Sequence, residues 1–279
     1  MTQVGTACSE QPVLMGGHNL FGIVTAPTAS RRQCGFILLN SGLLHRVGPS
    51  LLYVSLGRQL AELGFVTARI DASGKGDTPR RQNVTAEHSL LLDYDDVCKT
   101  LAALYGLQKF ILVGLCSGAD DAYAVASARD NVAGLVLLDG YAAKTTRFHV
   151  RHYGRQLLRA EAWWALFRRL FRLAPGRSGV DDDEADRSYA EIRQFPTPKE
   201  AMRKFDHISK HCERCLCIYT SACRRYYNYE GQLGHRFPGF KPSGGLREIY
   251  FPAAKHTFPL VHHRRIAIKS ICDWAADFG

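Results

Sequence analysis

A cysteine flanked by two glycines is the feature of this sequence with the clearest chemical potential. The pentapeptide G-L-C-S-G, residues 114–118, follows an apolar run of strand character and precedes a helical pattern. A sharp strand-to-helix turn needs small residues two positions before and two positions after the reactive side chain, because backbone and helix approach closely there. The spacing therefore predicts a nucleophile elbow with Cys116 at its apex. The dipole of the following helix would stabilise a thiolate that attacks carbonyl carbons.

Ser117 is the competing candidate nucleophile in the same turn. Its flanking positions would be Leu115 and Ala119, and a leucine side chain would crowd the turn. We therefore assign the nucleophile to Cys116. The backbone N–H of Ser117 is then expected to donate to an oxyanion that forms during acyl chemistry.

His256 is the histidine best placed to act as the base for this thiol. Of the 11 histidines, it is the one that lies between a C-terminal predicted strand, 248–252, and a closing helix, 258–278. A histidine in this loop can reach across the sheet edge to a nucleophile that lies earlier in the chain. His262 and His263 fall within the closing helix and are expected to be surface residues.

The acid that would orient the histidine is harder to place. The loop after the predicted strand 216–221 carries no carboxylate before Glu230. Asp139, at the carboxyl end of the predicted strand 134–139, can face the same edge of a parallel sheet. It either orients His256 or caps the strand end. A Cys–His dyad without an acid is also chemically sufficient, because a thiol ionises more readily than a hydroxyl.

Apolar runs of strand length alternate with helical patterns along the chain, and these elements must position the candidate residues. Buried strands are predicted at 36–41, 65–71, 109–115, 134–139, 216–221 and 248–252, with an antiparallel edge hairpin at 12–26. Helices are predicted at 49–64, 86–105, 117–129, 198–211 and 258–278. This alternation predicts an α/β fold with a mostly parallel eight-stranded sheet. We expect residues 1–279 to form a single domain.

The connection between the strands ending at 139 and starting at 216 is far longer than a crossover needs, at about 75 residues. It predicts an inserted helical lid over about 141–212. Between residues 141 and 180 there are nine Lys and Arg residues and one acidic residue, Glu161. Apolar and basic side chains alternate there at helical spacing, which predicts an amphipathic basic helix. The charge favours an anionic or carrier-bound partner, or peripheral contact with a membrane surface.

These features resemble the α/β-hydrolase superfamily, and within it the serine-aminopeptidase-like hydrolases that accompany exopolysaccharide and exosortase gene systems. The resemblance rests on the elbow, the histidine loop, the N-S-G-L-L-H-R-V-G-P segment at 40–49 and the R-I-D-A-S-G-K-G-D segment at 69–77. It implies that 40–49 is an oxyanion-hole loop, with a second backbone donor near Ser41 or Gly42, and that 69–77 is a structural turn. Cysteine replaces the more common serine, as it does in dienelactone hydrolase, and the usual acid is missing.

The sequence therefore predicts an ester or thioester hydrolase that works through a Cys–His acyl-enzyme on a small-molecule acyl substrate. Two alternatives stay open. The same thioester intermediate would serve an acyltransferase if the lid excludes water. A non-catalytic protein that retains the fold could instead dock its basic lid on a membrane or an acidic carrier.

Composition narrows the remaining classes of function. The net charge of +10 is concentrated in the lid beside bulky apolar residues, and no recognition motif for nucleic acid is present. No dinucleotide fingerprint or phosphate loop implies a cofactor. A thiol zinc site at Cys212, Cys215, Cys217 and Cys223 is disfavoured, because no second C-x-x-C completes it. Without a secretory signal in 1–11, the nine cysteines are expected to be reduced and the protein cytoplasmic.

Overall fold

The computed structural model describes residues 8–157 and 196–278. Eight strands form one sheet in the order β1-β2-β4-β3-β5-β6-β7-β8. The strands are β1 (Cys8–Met15), β2 (Leu20–Pro27), β3 (Cys34–Leu39), β4 (Val66–Ile70), β5 (Lys109–Leu115), β6 (Val132–Leu138), β7 (Arg214–Thr220) and β8 (Leu246–Phe251). The β1–β2 and β2–β4 pairs are antiparallel, and all other pairs are parallel. The predicted fold class is confirmed.

Helices cover both faces of this sheet. In the described residues they are α1 (Leu52–Glu62), α2 (Ala86–Tyr105), α3 (Ser117–Ala126), α4 (Thr146–Leu157), α5 (Pro198–His211), α6 (Gln232–Arg236) and α7 (Val261–Ala275). The bounds of α2 and α5 agree with the prediction. Local chemistry fixes their starts: the Thr85 side chain accepts the His88 N–H, and Thr197 forms a capping box with Glu200.

Two predicted helices begin later than expected. The segment 49–64 opens with a 3-10 turn, Pro49–Leu51, in which Ser50 has a left-handed φ of 50°, so α1 proper starts at Leu52. The C-terminal helix starts at Val261 because Phe258 has a φ of 48° and ends the preceding turn. Both differences from the prediction arise from left-handed backbone conformations, which the spacing of apolar residues does not reveal.

The parallel strands are buried on both faces, which explains their continuous apolar sequences. In β3, Phe36 and Leu38 pack into one core cluster with α1 and α7, whereas Ile37 and Leu39 pack into the other with α2, α3 and α5. Strands buried on both faces read as uninterrupted apolar runs rather than as alternating patterns. This packing brings the carboxyl ends of β5, β6, β7 and β8 to one edge of the sheet.

The structure describes only the two ends of the predicted lid, 141–157 and 196–212, which contain α4 and α5. Most of the predicted basic helix lies outside the described residues. Among the described helices, none is long and apolar enough to cross a membrane.

Candidate active site

Cys116 occupies the junction between β5 and α3 in a strained backbone conformation, with φ 59° and ψ −120°. Its N–H donates to the Leu138 carbonyl of β6 at 2.9 Å, which pins the turn to the neighbouring strand. A Cβ at Gly114 would overlap the Gly118 carbonyl, and a Cβ at Gly118 would overlap the Asn40 carbonyl. The glycine spacing in the sequence therefore has a direct steric cause, and it places Cys116 at the apex.

His256 lies in the turn after β8, where its ring contacts both other candidate residues. Its Nδ1 is 2.8 Å from Oδ2 of Asp139, and the ring also forms a side-chain hydrogen bond with Cys116. Because Nδ1 is engaged by the carboxylate, Nε2 is the nitrogen left to face the thiol. The structure thus brings Cys116, His256 and Asp139 together in one hydrogen-bonded chain.

Asp139 follows β6 directly and is almost fully buried, with 1% of its surface exposed. Its carboxylate accepts bonds from the Thr220 N–H at 2.6 Å and from the Thr220 hydroxyl at 2.7 Å, besides the bond to His256. The thiol of Cys223 donates to its Oδ1 at 3.0 Å. Asp139 can therefore both cap the end of β7 and accept from His256, because one carboxylate has enough acceptor sites for both.

Sequence reasoning missed Thr220 and Cys223 as partners of the carboxylate. Thr220 is the last residue of β7, and Cys223 lies in the turn after it, which is the loop where an acid was expected. Thr220 could have been predicted as a partner of Asp139, because it is a polar residue at the carboxyl end of the strand next to β6. Nothing in the sequence distinguishes Cys223 from the other buried cysteines.

The protonation of His256 is set by two opposing effects. Burial of the ring disfavours the charged form, but the hydrogen bonds and charges of Asp139 and Cys116 outweigh it and raise the pKa of His256 to about 10. The imidazole is therefore protonated at neutral pH. A protonated imidazole beside the Cys116 side chain would stabilise the thiolate form of that cysteine.

The predicted oxyanion-hole residues lie beside the elbow. Ser117 is the first residue of α3, so its N–H belongs to the helix-terminal donors that lack an intrahelical acceptor. The Gly42 N–H donates to the Ser117 hydroxyl at 2.8 Å, and Gly42 has a left-handed φ of 57°. Ser41 is buried, and its carbonyl accepts the Leu44 N–H at 3.0 Å. The Ser117 hydroxyl therefore accepts from the Gly42 N–H, one of the two backbone donors predicted to bind an oxyanion.

The segment 69–77 is hydrogen-bonded to the loop at 40–49. The buried carboxylate of Asp71 accepts the Arg46 N–H at 2.7 Å and the Asn40 side-chain amide at 3.1 Å, and it pairs with the Arg46 guanidinium. The Asn40 side-chain oxygen in turn accepts the Ala72 N–H at 2.7 Å. These contacts are structural and place no reactive group at the elbow.

The cysteines near β7 do not assemble into a metal site in the described part of the chain, where no group of three converging ligands contains a thiol. Cys212 donates to the Val132 carbonyl at 3.1 Å, and Cys223 is bonded to Asp139. Burial raises the pKa of both Cys215 and Cys217, which disfavours the thiolate form that metals bind.

If acyl chemistry takes place at Cys116, Asp139→Asn is expected to lower its turnover by about 100-fold, less than the loss known for a serine triad because a thiol depends less on the acid. The Thr220 N–H requires an acceptor, so the new amide group should present its NH₂ to His256 and impose the wrong tautomer. Loss of the carboxylate charge should also move the alkaline limit of activity to lower pH. A pH–rate profile of the variant measures both effects.

Asp93→Asn is the matched control, because Asp93 is an equally buried carboxylate that bonds Ser73 and Arg81 away from the elbow. We expect it to lower thermal stability without shifting the pH profile. A profile that is unchanged in Asp139→Asn would show that the carboxylate is only a strand cap.

The sheet order, the elbow after β5 and the histidine turn after β8 together define the α/β-hydrolase fold, and this chain adopts it. No protein-family model matches the sequence, and no curated protein is significantly similar to it. Structural similarity is extensive, however.

Three crystal structures of similar fold illustrate this. A carboxyl esterase from Bacillus coagulans superposes with a TM-score of 0.61 at 13% identity, over 98% of this chain and 99% of the esterase. Dienelactone hydrolase from Anabaena variabilis gives 0.59 at 14% identity, over 98% and 99%. A monoglyceride lipase variant from Saccharomyces cerevisiae gives 0.56 at 13% identity, over 99% and 97%. At such identities the likeness establishes the fold.

Proposed function

We propose that this protein is an ester or thioester hydrolase that forms a covalent acyl-thioester on Cys116. The single observation that carries the proposal is the chain of hydrogen bonds from the Cys116 thiol through His256 to buried Asp139, at the apex of a strained elbow. Strained residues of this kind are held by the surrounding structure and cluster at active sites. The carboxyl esterase, the monoglyceride lipase and the dienelactone hydrolase of the same fold support the reaction class.

In the acylation half-reaction, the Cys116 sulfur attacks the substrate carbonyl carbon and a C–S bond forms. The N–H groups of Ser117 and Gly42 receive the resulting oxyanion, once the Ser117 hydroxyl turns away from Gly42. The bond from carbon to the leaving oxygen or sulfur then breaks, and His256 Nε2 gives its proton to the leaving group. The imidazolium is ready for this step because its pKa is raised to about 10.

In the deacylation half-reaction, neutral His256 takes a proton from water as the water oxygen attacks the thioester carbon. Collapse of the second tetrahedral intermediate breaks the C–S bond, releases the carboxylic acid and restores the thiolate beside the imidazolium. Asp139 keeps Nδ1 protonated throughout and so directs Nε2 toward the sulfur. An alcohol, amine or thiol acceptor in place of water would make the same intermediate serve acyl transfer.

The substrate proposal rests on charge. Lys144, Arg147 and Arg151 lie on or beside α4 at one end of the predicted lid, and the Arg147 guanidinium stacks 4.7 Å above the Tyr229 ring. We propose an anionic or carrier-bound acyl substrate on this basis. We also propose that the protein functions like the hydrolases of exopolysaccharide systems that it resembles. Contact between the lid and a membrane surface is proposed on the same basis of charge.

The test is intact-protein mass spectrometry after rapid mixing with a panel of aryl esters and acyl thioesters, followed by peptide mapping. Cys8 and Cys272 are the half-exposed thiols among the described residues, so the protein should carry Cys8→Ser and Cys272→Ser to suppress background labelling. We expect one acyl group on Cys116 that disappears on the time scale of turnover. An adduct on Ser117, or turnover without any adduct on Cys116, would refute the mechanism.

The same experiment separates the alternatives. If the adduct decays only when an acceptor is added and the acceptor becomes acylated, the protein is a transferase. If no member of a broad panel acylates Cys116 and a thiol-directed electrophile also fails to react there, the non-catalytic function is favoured.

A further inference from the structure

Two histidines and one aspartate converge at the opposite edge of the sheet from Cys116. His207 and His211 lie one turn apart in the last part of α5, and Asp130 lies just before β6. The amino ends of parallel strands and the carboxyl ends occupy opposite edges, so this cluster is remote from the elbow. Nothing in the proposed hydrolysis uses it.

The three side chains direct ligand atoms toward one point. The Nε2 atoms of His207 and His211 lie 3.3 Å and 3.5 Å from the same oxygen, Oδ1 of Asp130. One ligand atom from each of the three residues lies within 4.8 Å of the other two. Spacing of i and i+4 places both imidazoles on one face of the helix, and their ring centroids are 4.3 Å apart.

The two distances from the imidazole nitrogens to Asp130 Oδ1 match edges of a metal tetrahedron. Ligand atoms at about 2.0–2.1 Å from a tetrahedral Zn²⁺ are about 3.3–3.4 Å from each other. Direct hydrogen bonds between imidazole and carboxylate would be shorter, at about 2.7–2.9 Å. The observed distances are therefore those of co-ligands rather than of a tight ion pair.

The hydrogen bonding of the imidazoles favours metal binding over an ion pair. His207 Nε2 is buried and, despite its 3.3 Å separation from Asp130, has no hydrogen-bond partner of acceptable geometry. His211 Nδ1 lies 3.0 Å from the His207 carbonyl, an acceptor that requires the proton on Nδ1. The His211 Nε2 lone pair is then directed at the cluster, as it is in histidines whose second nitrogen is fixed by a backbone carbonyl.

We propose that His207, His211 and Asp130 bind a divalent transition-metal ion of the Zn²⁺ class, with water as the fourth ligand. Two imidazole nitrogens and a carboxylate oxygen suit Zn²⁺, Co²⁺ or Ni²⁺ better than Mg²⁺ or Ca²⁺. The ion would join the end of α5 to the start of β6. Its role is thus to fix the helix through which the chain returns from the lid to β7.

A second converging cluster in the described residues, formed by His45, Asp71 and Asp77, does not share these features. The Arg46 guanidinium already pairs with both of its carboxylates, so a cation is in place. We therefore do not propose that this second cluster binds a metal ion.

The test measures Co²⁺ and Zn²⁺ binding to the purified full chain. We expect wild type to bind one more equivalent of Co²⁺ than the His207→Ala/His211→Ala variant, with a ligand-field spectrum that lacks the charge-transfer band of thiolate ligation. Asp130→Asn should weaken Zn²⁺ binding at least about 10-fold in chelator competition, since losing even a second-shell partner can cost that much. Added Zn²⁺ should raise the melting temperature of wild type but not of the double variant.

Asp206→Ala/Lys210→Ala is the matched control, because these exposed residues have the same spacing on α5, one position earlier. It should bind metal as wild type does. Equal Co²⁺ uptake by wild type and the histidine double variant, or a thiolate spectrum, would overturn the proposal. Neither outcome involves Cys116, so failure here is distinguishable from failure of the proposed hydrolysis.

Discussion

Cys116→Ala should lower ester and thioester hydrolysis by at least about 10⁴-fold, because the covalent route loses its nucleophile and only binding and oxyanion stabilisation are left. The side chain is small and 8% exposed, so its truncation should leave the fold intact. Steady-state assays with an aryl ester and an acyl thioester measure the loss. Melting temperature and circular dichroism confirm that the variant is folded.

Two further variants define the register of the nucleophile. Ser117→Ala keeps the backbone N–H and removes only the hydroxyl that accepts from Gly42, so we expect a change of no more than about 10-fold. Cys272→Ala removes a half-exposed thiol on α7 and should leave activity unchanged. Activity that survives in Cys116→Ala and disappears in Ser117→Ala would contradict the assignment.

His256→Ala should cost about 10³–10⁴-fold in turnover, because the same imidazole donates a proton to the leaving group and activates water. The variant should also alter the chemistry of the resting thiol. In wild type, alkylation of Cys116 by iodoacetamide should stay fast at neutral and mildly acidic pH, since the imidazolium stabilises the thiolate. In the variant, the rate should rise with pH toward the ordinary thiol pKa of about 8.5.

The pH dependence of wild type follows from the same histidine. Its pKa is raised from 6.5 to about 10, so the ion pair with Asp139 and Cys116 contributes stability fully below 6.5 and loses it as pH rises through about 10. We expect acylation to fall above that value, where the leaving group lacks its proton donor. His263→Ala is a suitable control, because His263 lies on α7 and contacts Phe251 rather than the elbow; it is buried there, so the expectation of a surface position is wrong for this residue. An alkaline limit that is identical in wild type and His256→Ala would exclude His256 as the titrating group.

The position of the acid shows how tertiary structure changes what a sequence pattern means. β6 and β7 are adjacent and parallel, so Asp139 after β6 and Thr220 at the end of β7 meet at one edge. A carboxylate on either strand can then reach the histidine that follows β8. The absence of an acid after β7 is consequently compatible with a complete triad geometry.

The features that the sequence determined by itself are the local ones. Gly114 has a steric cause within the elbow, where it packs against Gly118, and continuous apolar runs reflect strands buried on both faces. Capping residues such as Thr197 fixed the start of α5. Each of these depends on interactions between near neighbours or on burial, which residue type and spacing record directly.

Only the tertiary structure decided the contacts between distant segments. The bond between His256 and Asp139 joins residues 117 positions apart, and the Ser117 hydroxyl meets Gly42 across 75 positions. The insertion of β4 between β2 and β3 and the convergence of His207 on Asp130 belong to the same class. Such contacts depend on strand order, helix placement and rotamer together, and a single sequence encodes none of these as a local pattern.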